Sequence, residues 1–338
     1  MPAVRAHREP SVVQAWLLGV VYAVACTPWH SSPTASAELH VNPGPAVSGP
    51  VRTMTAMVDA GGPGGDASPE LAARTTTRVT PVPAGMLFVP AGTFVMGSDT
   101  GGQEDERPAH RVTVASFFLD RTEVTNEAYT LCVSSGKCRA PLPASAGRGH
   151  FGPDSAFRGP EQPVSSISWD DASAYCGFVG KRLPAEAEFE RAVRGDDGRI
   201  YPWGNEPPSP DRAVFATTRT SNVGTHPAGA GPYGHLDLAG NVWEWMDDFY
   251  DPYAYRRPTA ERGVPGSCEA IREVQDALRR SGRQGFTGSN PIPTECEHVL
   301  RGGAFNYDGE GLRATNRVHH PGRFRLVMSG VRCAKNAE

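Results

Sequence analysis

The sequence predicts an α+β protein in which one loop-rich domain follows an N-terminal leader and a polar linker. Two observations support this fold class. Glycine and proline account for 38 and 31 of the 338 residues, which is typical of a chain with little regular secondary structure. From about residue 81 onward, short apolar stretches with strand character alternate with segments of helical spacing. We therefore expect a leader over 1–25, a linker over 26–80 and a single domain over 81–338.

The first residues resemble an export signal. Arg5 and Arg8 precede the apolar run Val12–Ala25, which ends in the small residues Ala23-Val24-Ala25. The next residue is Cys26, so the pattern is similar to a bacterial lipoprotein signal, although it also fits ordinary signal cleavage. We expect export, either as a lipoprotein of the bacterial cell envelope anchored through Cys26 or as a free secreted or periplasmic protein.

The stretch from residue 27 to 80 is rich in Pro, Ala, Gly, Ser and Thr and predicts a flexible, disordered tether, because it cannot bury enough apolar surface to offset its ordering entropy. The net charge is −4 and no basic run interrupts the chain, so nucleic-acid binding is not expected. A membrane contact is expected only through an N-terminal lipid, and the domain is expected to be a monomer.

The first part of the domain predicts strands. Met86–Val89 and Thr93–Met96 flank Pro90-Ala91-Gly92, a pattern that indicates a β-hairpin. Val112–Phe118 predicts a further strand.

Helices are predicted after these strands. Thr125 and Ser168 are suitable N-caps for two of them. A third is expected to open at Pro184, and Glu269–Arg280 predicts a charged helix. The intervening segments predict loops.

The most informative stretch is Leu236–Met246, LDLAGNVWEWM. In an extended conformation Trp243 and Trp245 share one face, and Glu244 points to the other. A short segment that offers backbone carbonyls and side-chain oxygens suits a hard cation such as calcium. The alternative is a tryptophan-rich core strand whose acid caps a turn.

Six cysteines remain when Cys26 is set aside, an even number that favours disulfides in an oxidising compartment. Local spacing favours Cys132–Cys138. Cys268–Cys296 would close the long insertion, and Cys176–Cys333 would tie a helix to the C-terminus. A zinc or redox site is disfavoured because the chain has no CxxC motif.

A series of motifs resembles the formylglycine-generating enzyme family, also called the sulfatase-modifying factor family. They occur in order over about residues 82–334: GTFVMGS, RPAHRVTVASFFLDRTEVTNEAY, PVSSISWDDASAYCGFVGKRLPAEAEFERAVRG, YPWGN, GHLDLAGNVWEW, LRGGAF and GVRCA. The resemblance implies one domain of C-type-lectin-like architecture. It also implies a disulfide between Cys176 and Cys333.

The resemblance further implies a structural calcium site. The family's ligands carry over onto the side chains of Asp237 and Glu244 and the carbonyls of Gly240 and Val242. A second calcium site of the family would need an Asn near Ala213 and an acid in the loop that follows, and neither is present there, so we expect that site to be absent.

The chain departs from the family at the catalytic positions. Family enzymes that produce formylglycine hold copper(I) with two cysteines that follow the RGGSW motif, because copper(I) requires soft thiolates. The matching positions here are Tyr307 and Leu312, and the serine of RGGS is Ala304. We therefore expect that copper is not bound and that formylglycine generation is absent.

Other catalysts in the same region are weaker candidates. Tyr307, Glu310 and Arg317 are the candidate catalytic residues. Tyr307 or Glu310 could act in acid/base chemistry, as in the family branch that acts in siderophore maturation, which also lacks the cysteine pair. His319 and His320 would need His298 or Glu310 to complete a two-histidine, one-carboxylate metal site. The favoured alternative is that these side chains are surface loop residues, and Arg301 is expected to anchor its turn through hydrogen bonds.

Two functions of different class follow from these observations. The first is a calcium-stabilised recognition or scaffold module that binds a protein, peptide or small-molecule ligand in the cleft after Arg301. The second is an oxidoreductase that uses a reorganised metal site or acid/base site in the same cleft.

Overall fold

Nine short strands, four α-helices and several short 3-10 helices form the regular structure of the residues that the computed structural model describes, 81–144, 154–257, 266–282 and 292–337. All of them belong to one unit, Arg74–Glu338. The leader, Cys26 and the linker lie outside the described residues. Within this part of the chain the predicted α+β class is confirmed, and much of the backbone is turn and loop.

The strands form three sheets. β1 (Met86–Val89), β4 (Phe117–Asp120) and β9 (Ala334–Asn336) make an antiparallel sheet in the order β1-β4-β9. β2 (Gly92–Met96) pairs with β3 (His110–Val114) alone. The third sheet has the order β7-β6-β5-β8 and contains β5 (Trp243–Phe249), β6 (Glu297–Arg301), β7 (Val318–Pro321) and β8 (Ser329–Gly330).

The predicted hairpin around Pro90-Ala91-Gly92 is wrong. β1 pairs with β4, and β2 pairs with β3, so the two stretches belong to different sheets. The single strand predicted over Val112–Phe118 is also divided, because β3 ends at Val114 and β4 begins at Phe117. Both errors have one cause: the strand partners are chosen by burial against distant segments, which local turn signals do not report.

The helices agree closely with the capping signals. They are α1 (Asn126–Ser134), α2 (Trp169–Phe178), α3 (Glu186–Arg194) and α4 (Cys268–Arg280). The Thr125 side chain accepts a hydrogen bond from the Ala128 amide, and Ser168 forms a capping box with Asp171, so both predicted N-caps are confirmed. α3 begins two residues after Pro184.

Two large apolar clusters form the core. One joins β2 and β3 to α3 and β6 and includes Phe94, Phe189 and Val299. The other, which we call the tryptophan cluster, packs α1 and α2 against the two tryptophans of β5, Trp243 and Trp245. Both indoles are therefore on the buried face of β5, as the alternation predicted, and the Trp245 indole nitrogen donates to the Ile167 carbonyl at 3.1 Å.

All three predicted disulfides are present: Cys132–Cys138, Cys176–Cys333 and Cys268–Cys296. The first two lie within the tryptophan cluster. The third joins the start of α4 to the residue before β6. Among the described residues, no helix is both long and apolar enough to cross a bilayer.

Candidate functional site

The stretch before β5 forms a tight turn that presents the predicted calcium ligands. Asp237, Gly240 and Asn241 have φ angles of 54°, 87° and 61°, in the left-handed region. A Cβ atom at Gly240 would lie 2.4 Å from the Val214 carbonyl oxygen, so this position requires glycine. The Asp237 side chain accepts a hydrogen bond from the Gly224 amide at 2.6 Å. The turn is thereby fixed to the neighbouring loop.

Glu244 lies on the opposite face of β5 from the two tryptophans and forms a buried ion pair with Arg332. The Arg332 Nε and Nη2 atoms donate to the two carboxylate oxygens at 2.6 and 2.8 Å. Arg332 also donates to the carbonyls of Leu236 and Asp237 at 3.1 and 2.9 Å. Both Glu244 and Arg332 are 0% exposed. The guanidinium therefore joins the strand to the turn that precedes it.

Glu123 is a third carboxylate in this cluster, and it was not predicted from the sequence. Its Oε1 atom accepts from the Val242 amide at 3.1 Å, and its Oε2 atom accepts from the Asn241 side chain at 2.7 Å. Burial raises the pKa of Glu123 well above its usual range, and the charges of Asp237 and Glu244 raise this pKa further. In the sequence, Glu123 is distinguished only by its place in the RTEVTN stretch. Its role in this cluster could not be predicted, because both of its partners lie more than a hundred residues away along the chain.

The residues of this cluster fit a calcium ion in donor chemistry. Among the described residues no three His, Cys, Asp or Glu side chains are arranged to hold a metal, so an ion here would depend on backbone carbonyls. The predicted set of Asp237, Glu244 and the carbonyls of Gly240 and Val242 has this composition. Each carboxylate oxygen has two lone pairs, so Glu244 can accept from Arg332 and still face an ion.

Two basic side chains near this cluster, Lys181 and His235, do not contribute a charge to it. Asp120 forms its own ion pair with Lys181 at 2.5 Å. His235 is fully buried, and burial lowers its pKa to about 3, which keeps the imidazole neutral. Arg332 is the buried cation that faces the three carboxylates of Glu123, Asp237 and Glu244.

The turn that follows β6 is anchored by Arg301. Its guanidinium donates to Glu186 at 3.0 Å, to Glu190 at 2.5 Å and to the Ala314 carbonyl at 2.6 Å, and the side chain is completely buried. A Cβ atom at Gly303 would lie 2.6 Å from a Leu312 methyl group, which explains the second glycine of the motif. Arg301 thus has the anchoring role expected of it.

The two positions of the family's copper-binding cysteines hold side chains that pack in different apolar clusters. The Tyr307 ring packs against the tryptophan cluster and meets Trp243 edge to face, with centroids 5.2 Å apart. Leu312 is buried in another cluster, with Tyr201 and Ala239. Burial also raises the pKa of Tyr307, so its phenol is protonated at neutral pH. Neither side chain supplies a soft donor.

The structure does not bring the three weak catalytic candidates together. Glu310 is 79% exposed and pairs with Arg313 at 3.1 Å. Arg317 is completely buried, where it donates to both oxygens of Glu186 at 2.6 and 2.9 Å and lies over the Tyr255 ring. Tyr307 lines a cavity whose lining does not include Glu310 or Arg317.

That cavity has a volume of about 510 Å³ and lies between β7 and the segment that leads into β6. His319 contacts Glu297 through Nδ1 and stacks on Tyr250, with ring centroids 3.8 Å apart. His298 stacks on Trp169 instead, outside the cavity lining. The lining contains Ile292, Pro293, Thr294, Glu295, Glu297, Tyr307, Val318, His319 and His320.

The fold, the RGG turn and the double-tryptophan strand define a sulfatase-modifying-factor domain. Residues 72–337 match the family model described as the sulfatase-modifying factor enzyme 1-like domain, and the chain belongs to this family. Among solved structures, PvdO from Pseudomonas aeruginosa superimposes with a TM-score of 0.55 at 25% identity, covering 75% of this chain and 94% of that one.

The chain is also similar to three characterised proteins. The serine/threonine-protein kinase pkn1 of Chlamydia pneumoniae is 33% identical over 272 residues, covering 76% of this chain and 38% of that protein. The formylglycine-generating enzyme of Bos taurus is 32% identical over 243 residues, covering 56% and 65%. The hercynine oxygenase of Mycolicibacterium smegmatis is 32% identical over 293 residues, covering 75% and 63%. The chain thus spans between 38% and 65% of the length of these relatives.

Proposed function

We propose that this domain is a calcium-stabilised recognition module of the sulfatase-modifying factor family that has no formylglycine-generating activity. The observation that carries this proposal is the chemistry after Arg301. Tyr307 and Leu312 stand where the copper thiolates are expected, and each cysteine of the described residues is committed to a disulfide. Without a thiolate pair the cleft has no soft site for copper(I).

Ligand binding is assigned to the cavity beside Tyr307. It combines apolar walls with a few polar side chains that converge on one space, as is usual for sites that bind small molecules or peptide side chains. Its frame is β6 and β7, and the other lining residues lie on the segments around these strands. Such a frame suits recognition by loop residues held on a fixed scaffold.

Calcium has a structural role in this proposal. The ion would be held by Asp237, Glu244 and the carbonyls of Gly240 and Val242. An ion bound only to the folded state raises the free energy of unfolding. Replacement of Asp237 by Asn (Asp237→Asn) keeps an oxygen for the Gly224 amide and removes one negative charge. The variant should unfold like the wild type in chelator and gain less stability from calcium.

Export is part of the same proposal. Three disulfides are expected in a protein that folds in an oxidising compartment, and rare in one that remains in a reducing cytosol. Anchoring through Cys26 is testable by expressing the full chain in a bacterium and partitioning it in detergent. The wild type should enter the detergent phase, and the Cys26→Ala variant should not.

An oxidoreductase with a reorganised site is the second candidate. It is supported by the similarity to hercynine oxygenase and by the position of Tyr307, His319 and His320 around one cavity. Analysis of the metals in the purified full-length protein separates the two candidates. Calcium without a transition metal supports the recognition module. Iron or copper at about one ion per chain would instead support the oxidoreductase and contradict the first proposal.

A further inference from the structure

A second cavity is lined by two segments that are distant in the chain, residues 155–162 and 219–225. It has a volume of about 430 Å³ and shares no lining residue with the cavity beside Tyr307. Among its eight described lining residues, only Ala156 has an apolar side chain and only Arg219 is charged. The others are Ser, Thr, Asn or Gln. The lining therefore offers hydroxyl and amide groups around a single guanidinium.

Gln162 joins the two segments and holds the cavity in shape. Its Nε2 atom donates to the Ala156 carbonyl at 2.9 Å and to the carbonyl and hydroxyl of Thr220 at 2.9 and 3.0 Å. Its Oε1 atom accepts from the Gly159 amide at 2.8 Å. Both polar atoms of this buried side chain are thus used within the fold. A site that is fixed before its ligand arrives loses less conformational freedom on binding.

The Arg219 backbone is fixed, whereas its side chain has no partner. The Thr217 hydroxyl donates to the Arg219 carbonyl at 3.0 Å, and the Thr217 amide donates to the Phe305 carbonyl at 2.7 Å. The Arg219 guanidinium is exposed and makes no hydrogen bond or ion pair with any residue that the structure describes. The hydroxyls of Ser155 and Ser221 also have no partner in this part of the chain. Three side-chain donors therefore remain available at one cavity.

The acidic residues that flank the lining in sequence have partners of their own. Glu161 accepts from the Asn222 side chain at 2.9 Å, and Asp154 forms an ion pair with Arg158 at 3.4 Å. Neither carboxylate is bonded to Arg219. A free guanidinium can bind a carboxylate through two parallel hydrogen bonds, and the single charges of the two groups cancel.

We infer that this cavity is a second ligand site, which takes a small molecule with one carboxylate and several hydroxyl groups. Arg219 binds the carboxylate, and the hydroxyl and amide side chains of the lining bind the hydroxyl groups. The volume lies in the range usual for small-molecule sites, and hydroxyls and amides can both donate and accept. This inference does not depend on calcium or on the cavity beside Tyr307.

The test is titration of the purified full-length protein with sodium D-glucuronate, followed through the amide NMR signals of residues 219–225. D-glucose and sodium acetate are the matched probes, because the first lacks the carboxylate and the second lacks the hydroxyl groups. Glucuronate should cause saturable shifts at millimolar concentrations, and each of the other probes should bind about tenfold or more weakly. No shift with glucuronate, or equal affinity for glucose, would overturn the inference.

Arg219→Gln tests the guanidinium directly. The variant keeps hydrogen-bonding groups and removes the charge, and it should bind glucuronate about tenfold or more weakly than the wild type. Arg111→Gln is the matched control, because Arg111 is an exposed residue of β3 that lies outside the lining and also has no side-chain partner among the described residues. The control should bind like the wild type. Wild-type affinity in Arg219→Gln would contradict the role of Arg219.

The double variant Ser155→Ala/Ser221→Ala separates a cavity site from simple attraction of anions to a surface arginine. It leaves the Arg219 charge in place and removes the two unpartnered hydroxyls. Glucuronate affinity should fall several-fold toward that of acetate, whereas acetate binding should not change. Unchanged glucuronate affinity in this variant would overturn the cavity as the binding site.

Discussion

Arg332 donates two hydrogen bonds to Glu244, at 2.6 and 2.8 Å, and neither residue is exposed to solvent. The two residues lie 88 positions apart, so this pair ties the C-terminal segment to β5. The predicted calcium residue is therefore also half of a buried ion pair. Because Glu244 has both roles, a mutation at this position is expected to affect stability through the ion pair as well as through calcium.

Glu244→Ala is expected to destabilise the domain whether or not calcium is present. Removing one partner of a buried, hydrogen-bonded ion pair typically costs about 3–5 kcal/mol. The measurement is urea unfolding in calcium and in chelator. Arg332→Met is the companion variant and should lose more than Glu244→Ala, because it also removes the bonds to the Leu236 and Asp237 carbonyls and the cation that faces Glu123 and Asp237. A loss confined to calcium would mean that the ion pair contributes little.

His298 predicts a pH dependence of stability. The ring is 7% exposed and stacks on Trp169 with centroids 4.0 Å apart, and burial lowers the pKa of His298 to about 4. The unfolded chain binds the proton near pH 6.5, so the stability from this residue is complete above that pH and is lost as the pH falls toward 4.

The measurement for His298 is thermal or urea unfolding of the wild type and His298→Phe between pH 7 and 4.5. The phenylalanine keeps an aromatic ring beside Trp169 and cannot titrate. At pH 5 the wild type should have lost on the order of 1–2 kcal/mol more than the variant, relative to pH 7. Stability curves that stay parallel over this range would show that His298 does not contribute.

The disulfide Cys268–Cys296 is expected to hold one wall of the cavity. α4 supports this wall at three points: the disulfide, a bond from Gln275 to the Glu295 carbonyl at 3.3 Å, and a contact from Arg279 to the Pro293 carbonyl. Cys268→Ser/Cys296→Ser should therefore increase amide hydrogen exchange over 292–297. The free energy of unfolding should fall by about 2–4 kcal/mol if this segment unfolds with the domain.

Cys132→Ser/Cys138→Ser is the matched control for that experiment. Its disulfide lies at the end of α1, in the tryptophan cluster, and closes a loop outside residues 292–297. Exchange over 292–297 should remain at the wild-type rate in this variant. Equal exchange in both disulfide variants would show that the wall does not depend on Cys268–Cys296.

Local features of the fold could be predicted from the sequence, and distant pairings could not. Thr125 and Ser168 cap helices through bonds to amides three residues away, so their spacing was enough. The hairpin predicted around Pro90-Ala91-Gly92 failed because the real partner of β1 is β4, about thirty residues further along the chain.

The candidate site shows the same division. The motifs identified Asp237 and Glu244, which lie close together in the chain. Nothing in the sequence marked Arg332 as the partner of Glu244, or Glu123 as the acceptor for Val242, because both contacts exist only after folding. The place of Arg317 after the RGG turn makes it a candidate catalytic residue in the sequence. In the structure Arg317 is buried and forms an ion pair with Glu186.

The central claim, that this domain does not generate formylglycine, is tested most directly by an activity assay. The purified protein is incubated with copper(I), oxygen and a peptide that contains Cys-x-Pro-x-Arg, and the peptide is analysed by mass spectrometry. Tyr307 and Leu312 cannot hold copper(I), so we expect no formylglycine above a metal-free control. Formylglycine that accumulates with time and depends on added copper would contradict the account.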